Sequence, residues 1–462
     1  MSNTSSPSFV LFDWRMERVK KATTSLFLII IVLSSSIVIR ATSFCFAQTQ
    51  GTSVIGIINS NTIWSTSNSP YNFTGPVAIN SGVTLTIEQG ATVNIGAWYL
   101  QVNGTLTAKG TSNNPITITA TGSLAWADDE TPFTKILFNP SSSSWNQQTE
   151  TGSIIQNAVL NCIPVVTKNA SPKIDGNTIL LNNSNIFSAA VLVDGGSPLI
   201  LNNSISMKGN GFQGTGVFVW SGSPNISNNT ITGLGCMIGS GIGSIGNAYI
   251  YGNSISGWQN GIYAYNDTII SNLVYLNNPM DSNLGQTLGS IGLALGGNGS
   301  VLNNTIINNQ IGLYVSQPTA TILNNNIYGN QENMAISTAN INATNNWWGT
   351  TDIPGINQTI LDFKNDFNRG NVTFIPFLEK PNPSAPIDAS SRDFIQIDFN
   401  HDGKVDFADI VYFVDAYINF NQHGVLNPAC DLNQDGKLDF SDITLFVNAY
   451  IAYAKSLATN SG

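Results

Sequence analysis

The chain has 462 residues, enough for two or three domains with a sizeable core, yet only 10% are charged and the net charge is -10. Between Asp393 and Asp442 ten acids stand against Lys404 and Lys437, which is -8 of that total; the remainder is nearly neutral and rich in Asn, Ser, Thr and Gly. No basic surface is written into such a sequence, which argues against a nucleic-acid partner.

At the N-terminus Arg15, Arg18, Lys20 and Lys21 precede an apolar run, Ser25 to Ile39, and a polar stretch ending Cys45-Phe46-Ala47. This order predicts a signal peptide over 1–47, with cleavage after Ala47 and translation starting at Met1 or Met16. The run is short for a membrane span and broken by serines, so an uncleaved anchor is the weaker reading. No later stretch is apolar enough to span, and a secreted, extracellular or cell-surface protein without a mature transmembrane segment is expected. Cys162, Cys236 and Cys430 would remain, an odd and widely spaced set that reads as buried small residues.

From 51 to 378 one phrase recurs: an apolar residue, two variable positions, Asn, one more residue, then an apolar residue. It reads IDGNTI (174–179), ILNNSI (200–205), ISNNTI (226–231), IYGNSI (250–255), VLNNTI (301–306) and ILNNNI (322–327), with weaker forms at 154–159 and 270–274. The key asparagines are Asn157, Asn177, Asn203, Asn229, Asn253, Asn272, Asn304, Asn325 and Asn346, spaced by 19 to 32 residues. A strand-like phrase alternates with it: GVFVW (216–220), GIYAY (261–265), GLALG (292–296) and GLYVS (312–316). Such a period without helical patterning predicts a solenoid, because one turn cannot bury its apolar residues alone. The asparagine suits a bend, where its amide bonds the backbone and its counterpart one coil away and its backbone tolerates the left-handed region.

This region resembles the right-handed parallel β-helix family. The opening (83–120) resembles that family's first coils. NNWWG (345–349), an amphipathic stretch with Ile356, Ile360, Phe363 and Phe367, and VTFIPFL (372–378) resemble its end. The expected fold class is therefore mainly β, a right-handed parallel β-helix solenoid, followed by a small all-α, EF-hand-like module. About a dozen coils stacked at ~4.8 Å would make a rod of roughly 55–60 Å.

Chemistry is thinly represented in the rod. Both histidines, His401 and His423, lie beyond it, and no arginine occurs between Arg40 and Arg369. The lysines Lys109, Lys135, Lys168, Lys173 and Lys208 are the available bases, and Asp128-Asp129-Glu130, near Trp126 and Trp145, is the one acidic cluster. Asp175 or Asp194 would join that cluster if the coils align, as a glycosidase pair at ~5–9 Å requires. No catalytic residue is assigned. Trp220, Tyr263, Tyr265, Tyr314, Tyr251 and Tyr328 instead suggest a sugar-stacking face if they point outward. Sequons at Asn72, Asn103, Asn228 and Asn371 would serve a glycosylating host.

Residues 379–392, EKPNPSAPIDASSR, read as a Pro/Ser linker of limited flexibility. Beyond it two twelve-residue segments repeat one pattern, DFNHDGKVDFAD (398–409) and DLNQDGKLDFSD (431–442). Oxygen-bearing side chains at positions 1, 3, 5, 9 and 12, with glycine at 6, are what a hard cation asks of a loop. Two Ca²⁺ ions are expected. Asp398, Asn400, Asp402, Asp406, Asp409 and the Lys404 carbonyl would hold one; Asp431, Asn433, Asp435, Asp439, Asp442 and the Lys437 carbonyl would hold the other. After each loop an apolar stripe, Ile410, Phe413, Val414 and Tyr417, then Ile443, Phe446, Val447 and Tyr450, predicts a helix. Residues 393–455 resemble the dockerin modules of secreted polysaccharide-degrading systems. That resemblance implies Ca²⁺-loaded loops and helices docking onto a cohesin-like or other surface protein. Phe407-Ala408 and Phe440-Ser441 stand where the family often carries Ser/Thr pairs.

Two functional readings follow. One is a secreted or surface-displayed calcium-binding β-helix protein that binds carbohydrate or envelope material and is attached through its dockerin-like module. The other is a polysaccharide lyase or glycoside hydrolase carrying a dockerin.

Overall fold

The computed structural model describes residues 51–121, 134–183, 188–211, 214–236, 239–277, 290–317, 319–386, 397, 399, 407–427, 430–432 and 437–459. The signal segment 1–47 and the cluster Asp128-Asp129-Glu130 with Trp126 lie outside them.

Between Thr52 and Thr373 the chain is built of short strands, nearly all of which pair in parallel, each with the equivalent strand of the next coil. One sheet of eleven strands runs from Thr62–Trp64 to Thr321–Leu323 and forms what we term the third face. The larger sheet contains two parallel runs. The first face runs from Thr92–Gly96 to Asn326–Tyr328, and the second from Leu100–Val102 to Ile360–Leu361. The long strand Tyr71–Ile79 pairs with both runs, so the early coil rounds that corner unbroken. Each coil visits the third face, the first and then the second.

β-branched residues on alternate positions explain the strands: one side chain points into the column and the next outward. Ile174, Ile200, Ile226, Ile250 and Ile269 stack in register on the third face, all fully buried. They belong to one continuous apolar core from Trp64 to Val372.

The bend between third and first faces carries the asparagines, in two adjacent roles. Asn177, Asn203, Asn229, Asn253, Asn272, Asn304, Asn325 and Asn346 form a buried ladder. From Asn177 to Asn325, the backbone N–H and Nδ2 of each donate to Oδ1 of the next at 2.8–3.0 Å. Nδ2 also donates to a third-face carbonyl one coil back, as Asn229 does to Ile200. The left-handed backbone belongs to the preceding residue: Gly176, Asn202, Asn228, Gly252, Ser271, Asn303, Asn324 and Asn345 have φ between 54° and 65°. Asn157 is therefore not a rung. It has φ 48°, and Ala158 takes the ladder position, donating its N–H to Asn177 Oδ1 at 2.9 Å. A second ladder, Asn277, Asn309, Asn330 and Asn333, lines the bend between first and second faces.

The expected amphipathic stretch near the end divides. Ile356, in the short helix α1 (Ile353–Gln358), and Ile360, in the strand beyond it, are buried, whereas Phe363 and Phe367 are exposed. Entry of Ile360–Leu361 into the second face breaks the helical period before the phenylalanines can turn inward. The first half of the expected linker lies along the rod. Asn382 accepts from and donates to Asn326, reaches Asn303 and Asn324, and Thr305 Oγ1 donates to the Pro386 carbonyl.

At the C-terminus α2 (Phe407–His423) and α3 (Phe440–Thr459) follow the two acidic segments. Phe413 and Phe446 stack with centroids 4.7 Å apart and planes at 6°, and Phe399 packs on both. Ala416 and Ala449 complete this core, while Val414 and Val447, expected inside, are exposed. The close aromatic stack turns each helix so that the small residue faces inward. Cys430 is the counterpart of Ile397 thirty-three residues earlier, and both are buried in the same cluster. Burial pushes the Cys430 thiol up to about 12, and the Asp442 charge adds to this. Cys162 differs from its expected burial: it is half-buried with φ 55°.

Candidate functional site

Two places gather residues with chemistry: the outer side of the second face and the acidic loops. On the second face the register aligns Leu137, Val166, Leu192, Phe218, Gly243, Tyr263, Ala294, Tyr314 and Ala335 in one outward rank. Leu137, Val166 and Leu192 pack into a small apolar cluster separate from the core. From Phe218 onward aromatic and small residues alternate strictly. Geometry explains this: coils rise only ~4.8 Å, so a ring leaning along the rod needs a small neighbour. A Cβ on Gly243 would come 3.0 Å from the Phe218 ring, and one on Gly296 would come 2.8 Å from the Tyr265 ring. Trp220 is 55% exposed, Tyr265 41% and Tyr263 39%, and Trp220 lies 6.0 Å from Phe218 between ring centroids. Of the aromatics expected to face outward, Trp220, Tyr263, Tyr265 and Tyr314 share the second-face side of the rod, whereas Tyr251 and Tyr328 do not. Tyr249 and Tyr251 form a separate stacked pair on the third face, 6.0 Å apart, and Tyr328 is half-buried.

The acidic cluster Asp128-Asp129-Glu130, which Asp175 or Asp194 was expected to join, lies outside the described residues. Asp175 is on the third face and Asp194 on the second, where Asp194 accepts from Ser221 Oγ at 3.1 Å. Among the described residues no three or more His, Cys, Asp or Glu side chains converge. Of the five lysines, Lys109 and Lys173 lie together on the third face, beside Trp145.

Of the expected Ca²⁺ ligands, Asp409, Asp431, Lys437, Asp439 and Asp442 are described; Asp398, Asn400, Asp402, Lys404, Asp406, Asn433 and Asp435 lie outside the described residues. Asp409 and Asp442 are fully buried in the first turns of α2 and α3. Asp409 Oδ1 accepts from Phe399 N–H and Asp442 Oδ1 from Leu432 N–H, both at 2.8 Å. In both halves, then, the position-12 carboxylate closes the loop onto position 2. Asp442 Oδ2 accepts from Asp439 N–H at 2.9 Å, and Asp439 Oδ1 accepts from Ser441 N–H at 2.8 Å. Among the described residues the loops thus contribute buried carboxylates, the type of donor a hard cation takes.

In-register parallel strands on three faces, wound around one apolar column, define a parallel β-helix protein, here followed by a helical pair. No family model matches the chain, and no curated protein does. Two solved structures are similar to it. One is the Dettilon tailspike protein (gp208), at 15% identity and TM-score 0.33, covering 62% of this chain and 61% of that one. The other is the pectate lyase Pel9A, at 14% identity and TM-score 0.30, covering 74% of this chain and 85% of that one. The chain thus spans about three fifths of the tailspike's length. Among the described residues no helix is long and apolar enough to cross a membrane.

Proposed function

We propose that this chain is a secreted or cell-surface protein that binds carbohydrate along the second face of its β-helix and is attached to a protein partner through a calcium-dependent C-terminal module. The observation that carries the reading is the outward rank in which Phe218, Tyr263 and Tyr314 alternate with Gly243, Ala294 and Ala335, flanked by Trp220 and Tyr265. Exposed rings offer apolar plates to the C–H faces of sugars, and their fixed spacing suits a repeating chain laid along the rod. Binding is put ahead of hydrolysis because the aromatic rank is built in the structure, whereas the acidic cluster Asp128-Asp129-Glu130 lies outside the described residues.

For the module, support comes from the matched closure of both loops on Asp409 and Asp442. Ca²⁺ held by residues 398–409 and 431–442 would neutralise the loop carboxylates and keep α2 and α3 in place. The exposed Phe407 (65%) and Phe440 (76%) head these helices as matched apolar contacts for a partner surface.

Affinity electrophoresis of the full chain in gels containing soluble neutral polysaccharides tests the first half. Retardation by at least one polymer is expected, with Trp220→Ala plus Tyr263→Ala weakening it roughly tenfold or more, as loss of two stacking contacts implies. Equal mobility in every gel would remove the reading. For the second half, titration of chelated protein with Ca²⁺ should show two ions bound; no binding at millimolar Ca²⁺ would refute it.

A further inference from the structure

We infer a second binding site, on the third face, for the anionic group of an acidic saccharide, a carboxylate or a sulfate ester, held by Lys109 and Lys173 against Trp145. Three segments far apart in sequence build it. The rank Lys109, Gln156, Asp175 climbs three successive coils, and Lys173 lies two residues before Asp175 on the same strand. Trp145 is carried by the loop entering the Gly152 turn and is tied to the next coil by its N–H to the Ser171 carbonyl.

Asp175 is consumed by its surroundings. Its Oδ1 accepts from Asn202 Nδ2 at 2.8 Å, and its Oδ2 from Gln156 Nε2 at 3.0 Å and Lys173 Nζ at 2.9 Å. The carboxylate thus holds Lys173 in place, with the ammonium 5.4 Å from the Trp145 ring centroid. Lys109, which is exposed, brings a second ammonium to 5.3 Å from the same ring and has no carboxylate partner among the described residues. The cluster therefore carries two cations against one anion whose oxygens are already bonded. A contact at this distance is near the outer limit of about 6 Å for cation–π attraction and is worth about 0.5 kcal/mol at an exposed site. That is too little to account for the unneutralised charge. A fixed ammonium, a free one and an indole plate together match a sugar ring bearing an anion, the ring on the indole and the anion on the lysines. The site is independent of the aromatic rank on the second face.

The test uses the full chain in EGTA, so that the acidic loops cannot bridge to the polymer through Ca²⁺, at about 20 mM salt to limit screening. Hyaluronan supplies carboxylates, dextran sulfate supplies sulfates, and dextran is the neutral control. Binding to hyaluronan or dextran sulfate is expected, the stronger of the two naming the anion. Lys109→Gln should weaken it roughly five- to tenfold, Lys109→Arg much less, and Trp145→Phe should fall between them. Trp220→Ala plus Tyr263→Ala should leave it unchanged, which separates this site from the other. Because Lys109 is exposed, its variants keep the fold, as an unchanged melting transition would verify. No binding to either anionic polymer, or a Lys109→Gln protein that binds like the parent, overturns the inference.

Discussion

The β-helix and the C-terminal helical pair both bury polar side chains, but of different kinds. The rod buries ladders of neutral amides, with single carboxylates such as Asp267 among them, whereas the buried charged side chains of the helical pair are the loop carboxylates Asp409, Asp431 and Asp442. An amide both donates and accepts, so each rung of the asparagine ladder satisfies the next, and the motif can repeat without limit. A carboxylate only accepts. Asp409 and Asp442 cannot bond each other and are met instead by backbone N–H groups of their own loops. The ladder is a property of stacking; the loops are closed locally and depend on local charge balance.

The largest expected effect comes from breaking the difference outright. Asn229→Asp would keep the acceptor toward Asn203 but replace the donor to Ile200, Ser227 and Asn253 with an anion. A loss on the order of 5 kcal/mol is expected from a buried uncompensated charge, read from the urea midpoint of the rod. Asp442→Ala is next: it strands the N–H groups of Leu432 and Asp439, at about 3 kcal/mol. Circular dichroism should show lost helix with the β signal unchanged. Gly292→Ala probes how tightly the second ladder is held, since its Cβ would fall 2.7 Å from Asn309 Nδ2 and 2.8 Å from the Gly312 carbonyl. Overpacking of about 2 kcal/mol is expected, without change at the C-terminus.

The smallest effect concerns a carboxyl group that the rod itself buries. Asp267 is buried between second and third faces, and it accepts from Ser244 Oγ, Ala248 N–H and Tyr265 N–H. Burial raises its pKa in spite of these bonds. The folded state therefore holds its proton to higher pH than the unfolded chain does. This contribution to stability is complete below the unfolded value near 3.8 and is lost as pH rises through the folded one. Denaturation midpoints measured from pH 3.5 upward should show that decline in the parent and a flatter profile in Asp267→Ala.

Much of the rod could be read from the chain. The recurring Asn in an apolar frame located the bend, because one geometry imposed at every coil selects one residue type. The phrase misplaced Asn157 by one position, since Asn serves both as rung and as left-handed neighbour. The second ladder, Asn277, Asn309, Asn330 and Asn333, leaves no recurring phrase in the chain because it has fewer rungs and two of them are only three residues apart. In the helices Val414 and Val447, four residues after Ile410 and Ile443, were expected inside, but Ala416 and Ala449, three residues after Phe413 and Phe446, pack there instead, because the Phe413–Phe446 stack sets the rotation.

By itself, then, the sequence determined the solenoid, the rung positions from Asn177 to Asn346 and the two duplicated acidic segments, each a local pattern repeated. Tertiary structure alone decided which outward residues share a rank. Coil lengths vary, and one residue of slip sends a side chain to the opposite side of its sheet. Hence the alternation of Phe218, Tyr263 and Tyr314 with glycine and alanine, and the meeting of Lys109, Trp145 and Lys173, exist only once the coils are stacked.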